Sequence, residues 1–231
     1  MRRWARWEKV LLGAFLFWSA AGLIFTLGKI SVLQVGTWPL PVWLTSFVRL
    51  CIEYGDPILI LLAFANTHAN AARQWSAARA RHWALILLAS SLVIETVGVL
   101  TGFPFGHYRY TGNFGPMLGV VPLTIPLAWY VVVTNAFLLA GRIASRRHNR
   151  IALTALICTT YDFILEPFAT GAKHYWLWTG GTVPLQNYVA WLVLSGVLAG
   201  LFAPRTEPRE PRDLRPVIVL GLTVLIFLAG R

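Results

Sequence analysis

Apolar runs separated by short polar connections recur seven times along the chain, at about 10–28, 42–65, 83–101, 122–140, 151–170, 188–203 and 217–230. A membrane-spanning helix needs roughly 20 predominantly apolar residues, so the longer runs qualify directly. The last run is the shortest and qualifies only with tilt limits relaxed by local thinning of the bilayer. The pattern predicts an all-α fold, a polytopic transmembrane helical bundle of about seven spans that forms a single integral membrane domain over residues 1–231. Within the second run Pro57 predicts a kink, because it lacks the backbone donor that a helix interior uses. Pro122 and Pro126 predict a broken or re-entrant start to the fourth. Residues 66–82 read as a polar, basic connection, and Gly102 to Pro116 and Gly171 to Pro184 as loops rich in Gly, Pro and aromatic residues. The first run continues past Ser19-Ala20-Ala21 to Leu27, which favours an uncleaved span over a signal peptide.

Composition supports the membrane reading and charge orients it. Hydrophobic residues make up 57% of the chain and charged residues only 13%, with a mean hydropathy of +0.62. A soluble domain carries about 25% charged residues. The net charge of +11 does not indicate a nucleic-acid binder, because the arginines fall in clusters between apolar runs. Of the 20 Lys and Arg residues, 15 lie at the N-terminus and in the second, fourth and sixth connections; 4 lie on the alternate side. That bias predicts a cytoplasmic N-terminus and an external C-terminus, with the cell membrane as the location. Cys51 and Cys158 lie within apolar runs and read as small buried side chains, without a disulfide framework.

The acids then draw attention. Five of the nine acidic residues, Glu53, Asp56, Glu95, Asp162 and Glu166, lie within the apolar runs. Each costs about 2.5 to 3.5 kcal/mol at a helix centre, so they are expected to face one another, a cation or water. Arg49, Glu53 and Asp56 are spaced to share one helical face, which suggests a supporting charge network with an Arg49–Glu53 ion pair. Asp162 and Glu166 also share a face, with no cation one helical turn away. Two carboxylates close together in a low-dielectric site do not both ionise cheaply, so one of them is expected to hold a proton. That describes a membrane-embedded Brønsted acid, to which Glu95 is a third candidate contributor.

Other chemistries find no residues. His68, His82, His107, His148 and His174 are scattered, so neither a di-iron histidine box nor a zinc ligand set is present. The last run lacks a lysine for a retinal Schiff base, and neither a Gly-x-Ser-x-Gly elbow nor a P-loop occurs. Two aromatic stretches, His107-Tyr108-Arg109-Tyr110 and His174-Tyr175-Trp176-Leu177-Trp178, fall on the predicted outer side. They read either as an interfacial aromatic belt or as rings above the acids that stabilise a cation.

Several of these residues occur in order as a pattern. Thr101-Gly-Phe-Pro-Phe-Gly-His-Tyr-Arg-Tyr110 is followed by Leu118-Gly-Val-Val-Pro122 and Ile125-Pro-Leu-Ala-Trp129. Then come Asp162 with Glu166-Pro167, Trp176-Leu-Trp178, and Pro184-Leu-Gln-Asn187-Tyr188 with Trp191. Over roughly residues 40–203 the chain resembles the carotenoid biosynthesis family of membrane hydratases, the CruF type. The seventh run and its arginine-proline linker fall outside this resemblance and say nothing about activity. The resemblance implies addition of water to the terminal double bond of an acyclic carotenoid end group, leaving a tertiary alcohol. It implies Asp162, Glu166 and Glu95 as the acid–base residues, and Tyr108, Tyr110, Trp129, Trp176, Trp178 and Asn187 as contacts to the substrate. No metal or redox cofactor is required. The expected partners are the carotenoid, the lipid bilayer and other enzymes of the same pathway. A carotenoid cyclase, a proton-coupled transporter and a non-catalytic assembly subunit are the competing readings.

Overall fold

The structure, a computed structural model, describes residues 4–30, 35–206, 208–210 and 213–231. Arg2, Arg3 and Arg212, three of the cations behind the predicted topology, lie outside the described residues. The α-helices described are α1 (Arg6–Leu27), α2 (Val42–Glu53), α3 (Gly55–Gln74), α4 (Ala77–Thr101), α5 (Thr124–Ile143), α6 (Arg147–Glu166), α7 (Leu185–Phe202) and α8 (Arg215–Ala229). Five helices are long and apolar enough to cross a membrane: α1, α4, α5, α6 with its extension to Ala172, and α7. The fold is therefore all-helical in its frame, as expected. Helix α8, with 15 residues, is apolar but shorter.

The second run departs from expectation. It is two helices, not one kinked span, and the break falls at Tyr54. A proline ring clashes with the carbonyl four residues earlier, here that of Glu53, so one helix cannot pass through both positions. Restarting at Gly55 puts Pro57 in a first turn, where its missing N–H has no helical partner to lose. The new helix, α3, then runs to Gln74, through residues that the polar pattern marked as a connection. Its polar face is buried, and that face has partners. Asn66 Nδ2 donates to the Leu11 and Leu62 carbonyls, at 3.2 and 2.9 Å. Asn135 Nδ2 donates to Thr67 Oγ1 at 2.8 Å. Gln74 exchanges two hydrogen bonds with the Glu210 backbone, at 3.0 and 2.9 Å.

Helix α5 is the centre of the bundle. Of its most apolar stretch 78% is buried, against 11–39% in the other four candidate spans. Its small and β-branched positions, Val131, Val132, Val133, Ala136 and Ala140, let α3, α4, α6 and α8 pack around it. Thr134 accepts from Trp83 Nε1 at 3.0 Å, and Asn135 Nδ2 donates to the Val131 carbonyl at 2.8 Å. The expected break at Pro122 takes the form of a small hairpin, β2 (Met117–Leu118) with β3 (Val121–Pro122), and Pro126 lies in the first turn of α5.

The two aromatic loops are not simple loops. Tyr108–Tyr110 (β1) and Trp176–Trp178 (β4) pair antiparallel, with Tyr108 opposite Trp178 and Tyr110 opposite Trp176. Alternation along a strand sends those four side chains to one face and Arg109 and Leu177 to the other. Two glycines bring the chain to this position. Gly102 ends α4 at φ +78°, where an added Cβ would meet the His107 ring at 2.6 Å. Gly106, at φ +111°, is pressed against Pro184 in the same way. At the far side, α6 passes directly into a π-helical turn, Pro167–Ala172. Pro167 cannot supply the N–H that would continue the α-helical ladder, and wide turns of this kind recur at functional sites. Cys158 is buried as expected, whereas Cys51 is only half-buried.

Candidate active site

Three carboxylates converge on one cavity beneath the β1–β4 pair. Glu95 comes from the last turns of α4, and Asp162 and Glu166 from the end of α6, one turn apart on one face. Their residues are only 5%, 2% and 2% exposed. The room left among the lining side chains is small, about 80 Å³.

Each acid meets neutral donors. Tyr108 and Tyr110 both donate their hydroxyls to Glu95 Oε2 at 2.6 Å, and Trp129 Nε1 donates to Oε1 at 2.8 Å. Trp176 and Trp178 donate their indole N–H groups to Glu166 Oε2, at 3.2 and 3.1 Å. Asn187, in the first turn of α7, donates Nδ2 to Asp162 Oδ2 at 2.6 Å and more distantly to Glu166 Oε1 at 3.4 Å. An indole N–H can only donate, so the two tryptophans fix where Glu166 presents its oxygens. Burial pushes the Tyr108 phenol well above its ordinary range, and the adjacent Glu95 carboxylate pushes it further. Tyr110 is raised for the same two reasons. Both rings therefore remain O–H donors.

The donors are not shared evenly. Among the described residues, Glu95 and Glu166 each accept on both oxygens, whereas Asp162 accepts only on Oδ2. Asp162 and Glu166 share the Asn187 amide nitrogen, and no cation pairs with either among the described residues. This arrangement suits proton exchange: neutral donors hold the side chains in place without fixing their charge.

The walls are aromatic. Tyr108 and Trp178 have ring centroids 5.1 Å apart, and Tyr110 and Trp176 6.0 Å apart. Trp129 stacks on Trp191 at 4.0 Å, with planes 4° apart. The faces of such rings carry negative potential, which favours a cation above them.

All nine residues expected to act as acids or to contact substrate line this cavity: Glu95, Asp162, Glu166, Tyr108, Tyr110, Trp129, Trp176, Trp178 and Asn187. The supporting charge network does not assemble. Asp56 lines the cavity, but Arg49 and Glu53 are exposed on α2, a helix with no buried residue. The break at Tyr54 takes Asp56 off their face, and its partner is Lys173, at 2.8 Å. Helical spacing alone pointed to Arg49 and Glu53, but an exposed ion pair gains little to offset the entropy of holding two long side chains in one geometry.

Other functional neighbours carried little signal in the sequence. Trp191 lay in the quoted pattern without a role. Helix α8, which the sequence left outside the site, supplies Thr223, Ile226 and Phe227 to the cavity wall. Tyr161, next to Asp162, donates its hydroxyl to Thr223 Oγ1 at 2.9 Å, tying α8 to the end of α6.

Comparison with known proteins agrees with this geometry. The family described as "Carotenoid biosynthesis protein" matches residues 55–230, so the match includes α8 as well as the acids. Bisanhydrobacterioruberin hydratase of Haloarcula japonica is 36% identical over 133 residues, covering 53% of this chain. The same match covers 45% of that protein, so the chain spans about half the length of this curated relative. No solved structure matches. With the family match running from the first residue of α3 to the last turn of α8, this chain belongs to the carotenoid biosynthesis protein family.

Proposed function

We propose that this protein is a membrane carotenoid hydratase that adds water to the terminal double bond of an acyclic carotenoid end group. The observation that carries the reading is the convergence of three buried, cation-free carboxylates under four aromatic rings in one apolar-walled cavity. Hydration of an isolated trisubstituted alkene asks for a proton donor, a surrounding that tolerates a tertiary cation, and a held water. The pair Asp162 and Glu166 serves as the donor, because the two carboxyl groups share one amide and one proton between them. That proton goes to the less substituted alkene carbon, and the π electrons form the new C–H bond. The tertiary cation left behind faces Tyr108, Tyr110, Trp176 and Trp178. Water adds through oxygen, and its surplus proton passes to the carboxylate that gave one up, so the site returns to its starting state. Glu95, with both oxygens occupied, holds the tyrosines and Trp129 in place.

The relative's name, a hydratase, supports the reaction type. The polyene is apolar and about as long as a bilayer is thick, so it reaches the site from lipid. Ala128 and Leu165, apolar lining residues that are only half-buried, mark where it passes. The arrangement in the cell membrane follows the arginine bias: seven crossings, counting α3 as the second and α8 as the last, with the N-terminus cytoplasmic and the acids in the outer half. Expression with a pathway that makes lycopene tests the function. A product heavier by one water per reacted end, with an acyclic hydroxylated terminus, is expected. A cyclised product of unchanged mass, or unchanged lycopene, overturns the reading.

A further inference from the structure

A hydratase of an apolar polyene needs two routes to its site, one for the hydrocarbon and one for water, and the rim of this cavity differs from place to place. Most lining residues are buried; Asp56, Tyr110, Ala128 and Leu165 are half-buried. Ala128 and Leu165 are apolar, whereas Asp56 is charged. Its Oδ2 accepts from Lys173 Nζ at 2.8 Å, and the two side chains are 23% and 32% exposed. Tyr175 lines the same cavity, and Lys173 lies over the Phe168 ring at 5.6 Å.

Two features make this cluster more than a surface ion pair. Among the described residues, Asp56 is the one cavity-lining side chain held in an ion pair. The pair also closes the π-helical turn, because Lys173 is the C-cap of the turn that begins immediately after Glu166. A half-exposed pair contributes little to stability, so stability does not explain a charged pair at the rim of this cavity. Charged and hydroxyl groups at a rim do hold bridging waters, and lipid tails do not displace those waters.

We propose that Asp56 and Lys173 form the water inlet of the site, acting as positioning residues that admit the water captured by the cation and exclude lipid. The inference rests on the hydratase reading. It predicts that apolar replacements, Asp56→Leu and Lys173→Met, starve the cation of water without stopping its formation. A cation that is not captured loses a proton back to a carboxylate and re-forms the alkene. In D2O the proton first delivered is a deuteron, so the recovered carotenoid becomes labelled at its end group.

The experiment follows both products in D2O with the full-length protein in membranes. In each variant, hydrated product is expected to fall about tenfold relative to wild type while deuterium in recovered substrate rises relative to hydrated product. Lys173→Arg, which keeps the cation, is expected to restore the wild-type ratio. A parallel fall in hydration and labelling in both variants shows a merely structural role and overturns the inference, as does an unchanged ratio. If one variant fails to accumulate, the other decides. Absence of both hydration and labelling in the wild type instead overturns the hydratase reading, and the inlet with it.

Discussion

The two ends of this bundle use carboxylates in opposite ways. At the arginine-rich end, Glu8 bridges two guanidinium groups, Arg73 and Arg215, each at 3.3 Å. Arg215 also pairs with Asp213 at 2.6 Å and lies 4.6 Å from the Trp4 ring centroid, and Arg73 pairs with Glu210 at 3.0 Å. This network clamps α1, α3 and the linker before α8 together. At the other end, Glu95, Asp162 and Glu166 are as deeply buried as Glu8 but meet only phenols, indoles and an amide. A carboxylate locked between two arginines is held by charge pairing and has its oxygens turned to the guanidinium groups. A carboxylate held by neutral donors keeps its position while its charge is free to change. Burial alone therefore does not single out the proposed acids; burial without a cation does.

The sharpest way to break that contrast is to remove the proton. Asp162→Asn and Glu166→Gln keep size and much of the hydrogen bonding, and each is expected to lower hydration by about 10²- to 10⁴-fold, the usual contribution of a general acid or base. Assay of hydrated carotenoid per folded protein checks this. Full activity in both variants would remove the proposed site. The converse substitution lies at the other end. Glu8→Ala leaves Arg73 and Arg215 without their shared acid, and removing one member of a buried ion network costs about 3 to 5 kcal/mol. Thermal unfolding in detergent is expected to show a much lower midpoint, with turnover per folded molecule unchanged. A loss of turnover without a loss of stability would mean that the two ends are not separate in function.

The sequence showed the acids more clearly than their partners. Asp162 and Glu166 announce themselves because an acid in an apolar run has few reasons to be there, and Gly102 and Gly106 mark the turn that brings β1 over them. The helices were visible for a similar reason: long apolar runs have little choice of structure. Partners were hidden wherever they are distant in sequence. Asp56 and Lys173 are separated by 117 positions, and local spacing offered Arg49 and Glu53 instead. The polar half of α3 was read as a connection because Asn66, Thr67, Asn70 and Gln74 look solvated until the groups that bury them are known. Helix α8 looked irrelevant because apolar side chains on a cavity wall have the same composition as those in a core.

A milder substitution tests whether the neutral donors matter individually. Trp178→Phe keeps the ring opposite Tyr108 and deletes the N–H that reaches Glu166 at 3.1 Å. Hydrogen bonds to charged groups contribute about 1.5 to 3 kcal/mol, so a loss of roughly ten- to a hundredfold in turnover is expected, less than removal of the acid itself. Measuring Trp176→Phe beside it separates the two donors, since both indoles reach the same oxygen. If neither variant changes turnover, Glu166 is positioned by its helix alone.

The smallest effect is expected where sequence spacing promised an ion pair and the fold did not make one. Arg49 and Glu53 stand one turn apart on α2, exposed, with no ion pair between them. Solvated charges of this kind rarely matter to stability, so replacing both with alanine is expected to change it by no more than about 0.5 kcal/mol. Turnover is expected to stay at the wild-type level. The result bears on the contrast between the two ends because these residues belong to neither. They have the charges of the arginine-rich clamp without its burial, and they are close in sequence to Asp56 without reaching the cavity. A marked loss of stability in the double variant would show that a charge pair on an exposed helix can clamp this bundle. A loss of turnover would extend the site's charge network along α2, past the break at Tyr54. With neither, the division stands: arginine-paired acids hold the bundle, and cation-free acids act.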